Sequence, residues 1–206
     1  MSPDHYSVGL MDNRPRPARR VSATLVRPFP ADQLDAVEAA WASERRDLAT
    51  RRDLDGDPIE HEHWDWRRKK ERVAKGDTLL SAIVHGADVQ GLIGMAAKPR
   101  TASLNPGLAA LYVDYLEVAP WNLGSATETA WFSGVGTVLM LEAIAVSVVI
   151  GCGGRVGLHS LPQAESFYTA KAMTRIGPDP NYYDLVYFEY DGAVATERLA
   201  RARRTT

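Results

Sequence analysis

WFSGVGTVLMLEAIAVSVVIGCGG, residues 131–154, opens on an aromatic pair, passes a glycine-spaced turn and runs into an almost unbroken apolar segment. Three readings compete: a membrane span, a buried core helix, and a helix whose first turn holds a phosphate. A span needs about 20 predominantly apolar residues. Here Glu142 interrupts the run, glycines from Gly151 end it early, and no charged flank suits an anchor. A buried helix remains, and no membrane partner is expected. The front end asks for more. A strand, then Pro120-Trp121-Asn122, then Ser133-Gly134-Val135-Gly136-Thr137, then a helix is the layout of a phosphate site. First-turn N–H groups lack partners and carry partial positive charge, and glycine lets the backbone approach an anion closely. The third glycine of the dinucleotide fingerprint and the Gly-Lys-Ser/Thr of a P-loop are absent. Spacing alone therefore leaves a phosphate cradle and an ordinary turn both open.

Outward from this helix, GRVGLHS reads as a short strand and PQAESFYTAKAM as a short helix. YYDLVYFEYDG alternates and is rich in aromatics, as a half-buried strand should be. Upstream, LAALYVDYLEVAP is a strand closed by Pro120, after a loop, RTASLNPG. TLLSAIVHG and QGLIGMAAKP are two strands joined through Gly86-Ala87-Asp88, a plausible hairpin. VSATLVRPF (21–29) is the first strand. ADQLDAVEAAWASERRDLA places Leu34, Val37, Ala40 and Trp41 at helical spacing, and WRRKKERVAKGD is a short charged helix closed by Gly76. The order predicts an α/β fold with a central mixed sheet of six or seven strands and helices on both faces. Strand 110–119, helix 136–150 and strand 155–160 form its parallel, right-handed crossover.

The 206 residues are 45% hydrophobic and 24% charged, which suits a globular core. A formal net charge of −2 argues against nucleic acid as a partner. The single cysteine, Cys152, excludes an internal disulfide and fits a reducing cytoplasm. Residues 1–19 read as a disordered basic lead-in rather than a secretory signal, residues 20–193 as one domain, and residues 194–206 as a basic tail. EHEHWDW offers Glu60, His61, Glu62, His63 and Asp65, but no second cluster closes a site, so no metal is expected.

LEVAPWN, FSGVGTVLMLEAI and GRVGLHSLPQAESFYT, in this order, resemble the core of the GCN5-related N-acetyltransferases (GNAT), which use acetyl-coenzyme A. That family's pattern is a strand ending hydrophobic-x-hydrophobic-x-Pro, matched by Leu116, Val118 and Pro120. Next comes R/Q-x-x-G-x-G/A at a helix start, matched by Gly134 and Gly136. A second strand and a helix with A-x-x-F/L-Y follow, matched by Ala164, Phe167 and Tyr168. Four features depart from it: Trp131 stands where the family has Arg or Gln, residues 121–132 make a long link, the asparagine often found before the last helix is replaced near Leu161, and MTRIG replaces a Gly-Phe pair.

The resemblance implies acyl transfer from acetyl-coenzyme A to a primary amine of a small molecule or protein. Leu116 and Val118 would bond the pantetheine arm, and Ser133, Gly134, Val135, Gly136 and Thr137 the diphosphate, with Phe167 beside it. Tyr168 would protonate the leaving thiolate. Period-two alternation along LYVDYLEV places Tyr112 and Asp114 on the face of Leu116 and Val118. Asp114 is thus the first candidate for general base, Glu117 the second and His159 the third. Tyr112 and Trp64 are expected to line the acceptor site, and the aromatic last strand offers an edge for a homodimer. The competing reading is a catalytically inactive coenzyme A sensor of the same fold, which Trp131 keeps alive.

Overall fold

A computed structural model describes residues 3–54, 63–124 and 129–204. The chain divides into two compact units, one of residues 1–92 with 116–136, the other of 93–115 with 137–206.

The first unit begins where disorder was expected. DHYSVGLMD forms β1 (Asp4–Asp12), antiparallel to β2 (Arg19–Arg27) along its whole length. Of its apolar residues, Leu10 is buried at 2% exposure, while Tyr6 and Met11 are exposed. β2 continues the sheet into β3 (Thr78–His85). Between them lies α1 (Leu34–Leu54), whose Leu34, Val37, Trp41 and Leu48 are buried at helical spacing. A 3-10 turn at Trp66–Lys69 leads into α2 (Lys70–Ala74). Gly86, at φ +64°, turns the chain into β4 (Asp88–Ala96).

The second unit holds the mixed sheet. β5 (Arg100–Thr101) pairs antiparallel with β6 (Ala109–Val118), within the segment read as a loop. After the two-residue β7 (Phe132–Ser133) comes α3 (Val135–Val149), and β8 (Val156–Ser160) then runs parallel to β6. The expected strand-helix-strand crossover is thus present. α4 (Glu165–Ala170), β9 (Thr174–Asp179) and β10 (Leu185–Tyr190) follow, and β10 lies antiparallel between β8 and β9. Among the described residues there are ten strands rather than six or seven, because β1, β5, β7 and β9 are short, polar or proline-bearing and carry no clear periodicity. The basic C-terminal segment is α5 (Gly192–Arg204), a helix rather than a tail, with Ala195 buried.

The segment quoted at the outset is a core helix. Leu139, Met140, Ala143, Ile144 and Val146 are buried. Among the described residues no helix is long and apolar enough to cross a membrane. α3 ends in a left-handed cap: Gly151 takes φ +83°, Gly151 N–H donates to Val148 C=O at 3.2 Å, and Cys152 N–H to Ser147 C=O at 2.8 Å. Cys152 is buried there, and burial pushes its thiol up.

Candidate functional site

In the first unit, β7 hydrogen-bonds with β1, with Met11 opposite Ser133 and Asp12 opposite Phe132. Asn13 N–H donates to Trp131 C=O at 2.8 Å, and its side chain to Ala130 C=O at 2.9 Å. From the other direction, Asn122 Oδ1 accepts from Phe132 N–H at 2.9 Å, while Asn122 Nδ2 donates to the Gln90 side chain at 3.0 Å. The N-terminal strand and the Gln90–Asn122 pair therefore hold the turn that leads into α3. Gly134 has φ +97°, a conformation that L side chains rarely adopt. The N–H groups of Val135, Gly136 and Thr137 precede the first intrahelical bond, and no described residue outside the helix accepts from them. Ser133 is exposed, Val135 is buried, and Gly136 and Thr137 are half-buried. This geometry fits a diphosphate, which needs convergent N–H donors and a backbone free of Cβ atoms.

Trp131 is half exposed and lies 5.9 Å from Trp121, centroid to centroid. Arg14, from the β1–β2 connection, is 5.5 Å above the Trp131 ring and 4.5 Å above that of Phe132. Sequence reasoning missed Arg14, since it is more than a hundred residues from the turn and nothing local marks it. Asp12 grips its guanidinium at 2.8 and 3.0 Å. That hydrogen bond drives the Asp12 carboxyl down to about 2.

Leu116 and Val118 are half-buried on β6. Glu117 is 3% exposed and committed. Its Oε1 accepts from Arg45 Nε at 3.1 Å and its Oε2 from Trp66 Nε1 at 2.6 Å. Arg45 Nη1 also donates to Glu38 at 2.9 Å and to Trp64 C=O at 2.7 Å, and Glu38 accepts from Trp66 N–H at 2.9 Å. Burial pushes Glu117 up to about 7 against the pull of Arg45, the Trp66 N–H and Lys69. Lys69, lowered by burial, lies 4.9 Å over the half-buried Trp64 ring. In EHEHWDW, Glu60, His61 and Glu62 lie outside the described residues, His63 is exposed, and Asp65 caps the following turn. Among the described residues no three His, Cys, Asp or Glu side chains form a metal-binding group.

In the second unit, Tyr168 is 7% exposed, edge-on to Phe167 at 5.2 Å and 5.8 Å from Phe188. Burial holds its phenol above the ordinary value, so it stays protonated and able to donate. Phe167 is half-buried with Lys171 Nζ 5.2 Å over its ring. Asp114 is half-buried on β6. Tyr112 is 6% exposed, and its Oη lies 2.7 Å from His159 Nδ1. Burial pushes its phenol up to about 12. The structure thus brings Tyr112 and His159 together, with Arg100, Asp179, Tyr182 and Tyr187 around them. Sequence reasoning left those four out: Asp179 sits in a proline-rich turn, and Tyr187 belongs to a strand read only as half-buried.

No protein-family model matches the chain, and no curated protein does. Solved structures do. PaiA N-acetyltransferase from Thermoplasma acidophilum, in complex with coenzyme A, is 17% identical, with a TM-score of 0.52 over 83% of this chain and 99% of that one. A GNAT-family protein from Desulfovibrio desulfuricans is 13% identical, with a TM-score of 0.51 over 82% of this chain and 99% of that one. A bacterial toxin is 16% identical, with a TM-score of 0.52 over 66% and 79%. The chain has the fold of the GCN5-related N-acetyltransferases. One expectation is corrected. A net charge of −2 is a whole-chain sum and does not exclude nucleic acid as a partner; matched structures include the AtaT toxin bound to the C-terminus of the antitoxin AtaR (TM-score 0.46) and the AtaT–AtaR complex bound to DNA (TM-score 0.41).

Proposed function

We propose that the protein is an acyltransferase that moves an acetyl group from acetyl-coenzyme A to a primary amine. The observation that carries this reading is the turn at 133–137: a glycine at φ +97° ahead of three helical N–H groups with no acceptor outside the helix among the described residues. Coenzyme A has a diphosphate of matching chemistry, and its thioester supplies the acyl group. Ser133 and the amides of Val135, Gly136 and Thr137 would hold the diphosphate, with Arg14 adding the positive charge that Trp131 lacks. Leu116 and Val118 would offer backbone groups to the pantetheine arm.

Transfer requires a neutral amine, formation of the N–C bond and cleavage of the S–C bond. Tyr168, protonated and without a described acceptor, would donate the proton that the thiolate needs. The base stands on the β6 face that carries Tyr112 and Asp114, because Glu117 has both oxygens engaged by Arg45 and Trp66. Asp114 also favours a cationic acceptor. The alternative, a coenzyme-binding sensor without turnover, draws on Trp131 at the position of the family's Arg or Gln. Thermal-shift titrations with acetyl-coenzyme A, coenzyme A and ATP, followed by thioester consumption with a panel of amines, separate the readings. A ligand that binds the native state raises its apparent stability. Binding with turnover supports the transferase; binding without turnover for every amine supports the sensor; preference for ATP removes both.

A further inference from the structure

The second unit contains an open cleft of about 320 Å³, lined by Arg100, His159, Asp179, Tyr182 and Tyr187 among others. A hydrogen-bonded chain runs from two residues of its wall, Asp179 and His159, inward to Tyr112. Tyr112 Oη is 2.7 Å from His159 Nδ1, and His159 Nε2 is 3.1 Å from Asp179 Oδ2. A carboxylate only accepts, so the proton of the neutral ring belongs on Nε2, which leaves the Nδ1 lone pair to accept from the Tyr112 O–H. Asp179 is fixed in turn by the Asn181 N–H at 2.9 Å. The imidazole lies flat on Tyr182, with centroids 4.0 Å apart and planes at 9°, and Tyr187 packs at 4.9 Å. Arg100 sits 3.4 Å over the Tyr112 ring and donates to Tyr182 Oη. Glu189 accepts from the Tyr187 O–H at 3.0 Å and from the Ser103 and Leu104 amides. The result is a histidine with fixed tautomer and orientation, whose basic nitrogen faces a phenol and whose surroundings open to water.

We propose that Tyr112, His159 and Asp179 form the relay that takes the ammonium proton from the acyl acceptor, an assignment that rests on the N-acyltransfer reading above. As Tyr112 Oη accepts that proton, its own O–H proton passes to His159 Nδ1. The amine keeps the electron pair with which it attacks the thioester carbonyl. The resulting imidazolium is paired with Asp179, and it returns one proton to water in the cleft before the next turnover. Tyr112 is then the catalytic residue, His159 and Asp179 act through it, and Asp114 is left to hold the acceptor's positive charge.

The relay works only while His159 is neutral. Burial lowers its pKa below the usual imidazole value and Arg100 adds to this, while Asp179 opposes it. Tyr112 on β6, Tyr182 in the turn after β9, and Tyr187 on β10 are the other titratable groups facing it, and Asp114 acts on Tyr112. The rate should therefore fall on the acidic side as His159 takes up a proton.

The test measures kcat for thioester consumption from about pH 5 to pH 9, in the wild type and in Tyr112→Phe, His159→Gln, Asp179→Asn and Asp114→Asn, with coenzyme affinity by thermal shift for each. Tyr112→Phe and His159→Gln should lower kcat about 10²-fold at unchanged coenzyme affinity, and the acidic limb should vanish. Asp179→Asn removes a charge that raises the imidazole, so its limb should move to lower pH. Wild-type rates and an unchanged limb in the Tyr112 and His159 variants overturn the relay, as does a limb that vanishes only in Asp114→Asn. If the two buried variants fail to fold, the position of the limb in Asp179→Asn decides alone. A wild type that binds the coenzyme yet consumes none with any amine overturns the transferase reading itself, and that result needs no variant.

Discussion

Arg45 and His159 each sit at the centre of a buried polar cluster, and the two clusters are built on opposite plans. Around Arg45 the groups are ionic and enclosed: guanidinium, two carboxylates, an indole N–H and a backbone carbonyl bond to one another, Arg45 Nη2 meets Glu117 as an ion pair at 3.1 Å without a hydrogen bond, and side-chain exposure is 3% or less for Arg45, Glu38 and Glu117. Around His159 the groups are mostly neutral and aromatic, arranged in one direction from phenol to imidazole to carboxylate, and a cleft opens beside them. The first plan commits both carboxylates inside a buried cluster, so it holds structure. The second leaves a neutral base beside water, so it suits chemistry. The comparison therefore makes opposite forecasts for the two centres, one in stability and the other in rate.

The largest effect should come from Arg45→Ala, which leaves Glu38 and Glu117 buried without their cation. Breaking a buried ion pair by removing one partner costs about 3–5 kcal/mol. Denaturant unfolding measures this, and a loss below about 1 kcal/mol would mean that the cluster is not structural.

Next in size is the pH dependence of stability. The folded-state pKa of Glu117 is raised from 4.5 to about 7, so its contribution is fully present below about pH 4.5 and is lost as pH rises through 7. The loss amounts to about 3 kcal/mol at most, from a shift of about 2.5 units at 1.36 kcal/mol each. Glu117→Gln should flatten this slope. His159 has the opposite sign: its folded-state pKa is lowered, so its contribution is lost as pH falls below the ordinary imidazole range. The Glu117→Gln protein should expose that reversed slope. Stability that rises between pH 4.5 and 7 more steeply in the wild type than in Glu117→Gln would show Glu117 ionised and well paired, and would erase the contrast.

Third is Tyr168→Phe, which should lower kcat about 10²-fold while coenzyme affinity and stability hold, because the phenol has no described acceptor to orphan. An unchanged kcat would return Tyr168 to a packing role beside Phe167 and Phe188.

What the sequence disclosed follows from range. Strands β2, β3, β4, β6, β8 and β10 and helices α1 and α3 carry apolar periodicity within their own residues, and each stands within a few residues of its expected bounds. β1 and α5 do not. β1 owes its existence to pairing with β2 and β7, and α5 is held by tight glycine packing, where a Cβ on Gly192 would lie 2.6 Å from the Gly153 carbonyl oxygen. The site divides along the same line. The Gly134 turn and the Phe167-Tyr168 pair are local patterns and were legible. Arg14 beside Trp131, Asp179 beside His159, and Arg45 between Glu38 and Glu117 are meetings of distant residues, which single-chain spacing does not encode.

The smallest effect tests the turn on which the coenzyme reading depends, and it separates backbone strain from crowding. A Cβ on Gly134 would meet only Leu10 Cδ2, at 4.0 Å, so Gly134→Ala is costly through its φ of +97° alone, by about 1–2 kcal/mol. Relaxing that strain tilts the amides that follow, so acetyl-coenzyme A should bind up to about tenfold more weakly. Gly136 lies inside α3 and is not among the positive-φ glycines. Gly136→Ala should therefore stabilise the helix by about 0.5–1 kcal/mol, yet it should still weaken the coenzyme, because its methyl group stands where a diphosphate oxygen must approach. A Gly136→Ala protein that is more stable and binds acetyl-coenzyme A as the wild type does would show that the ligand does not lie against this helix start.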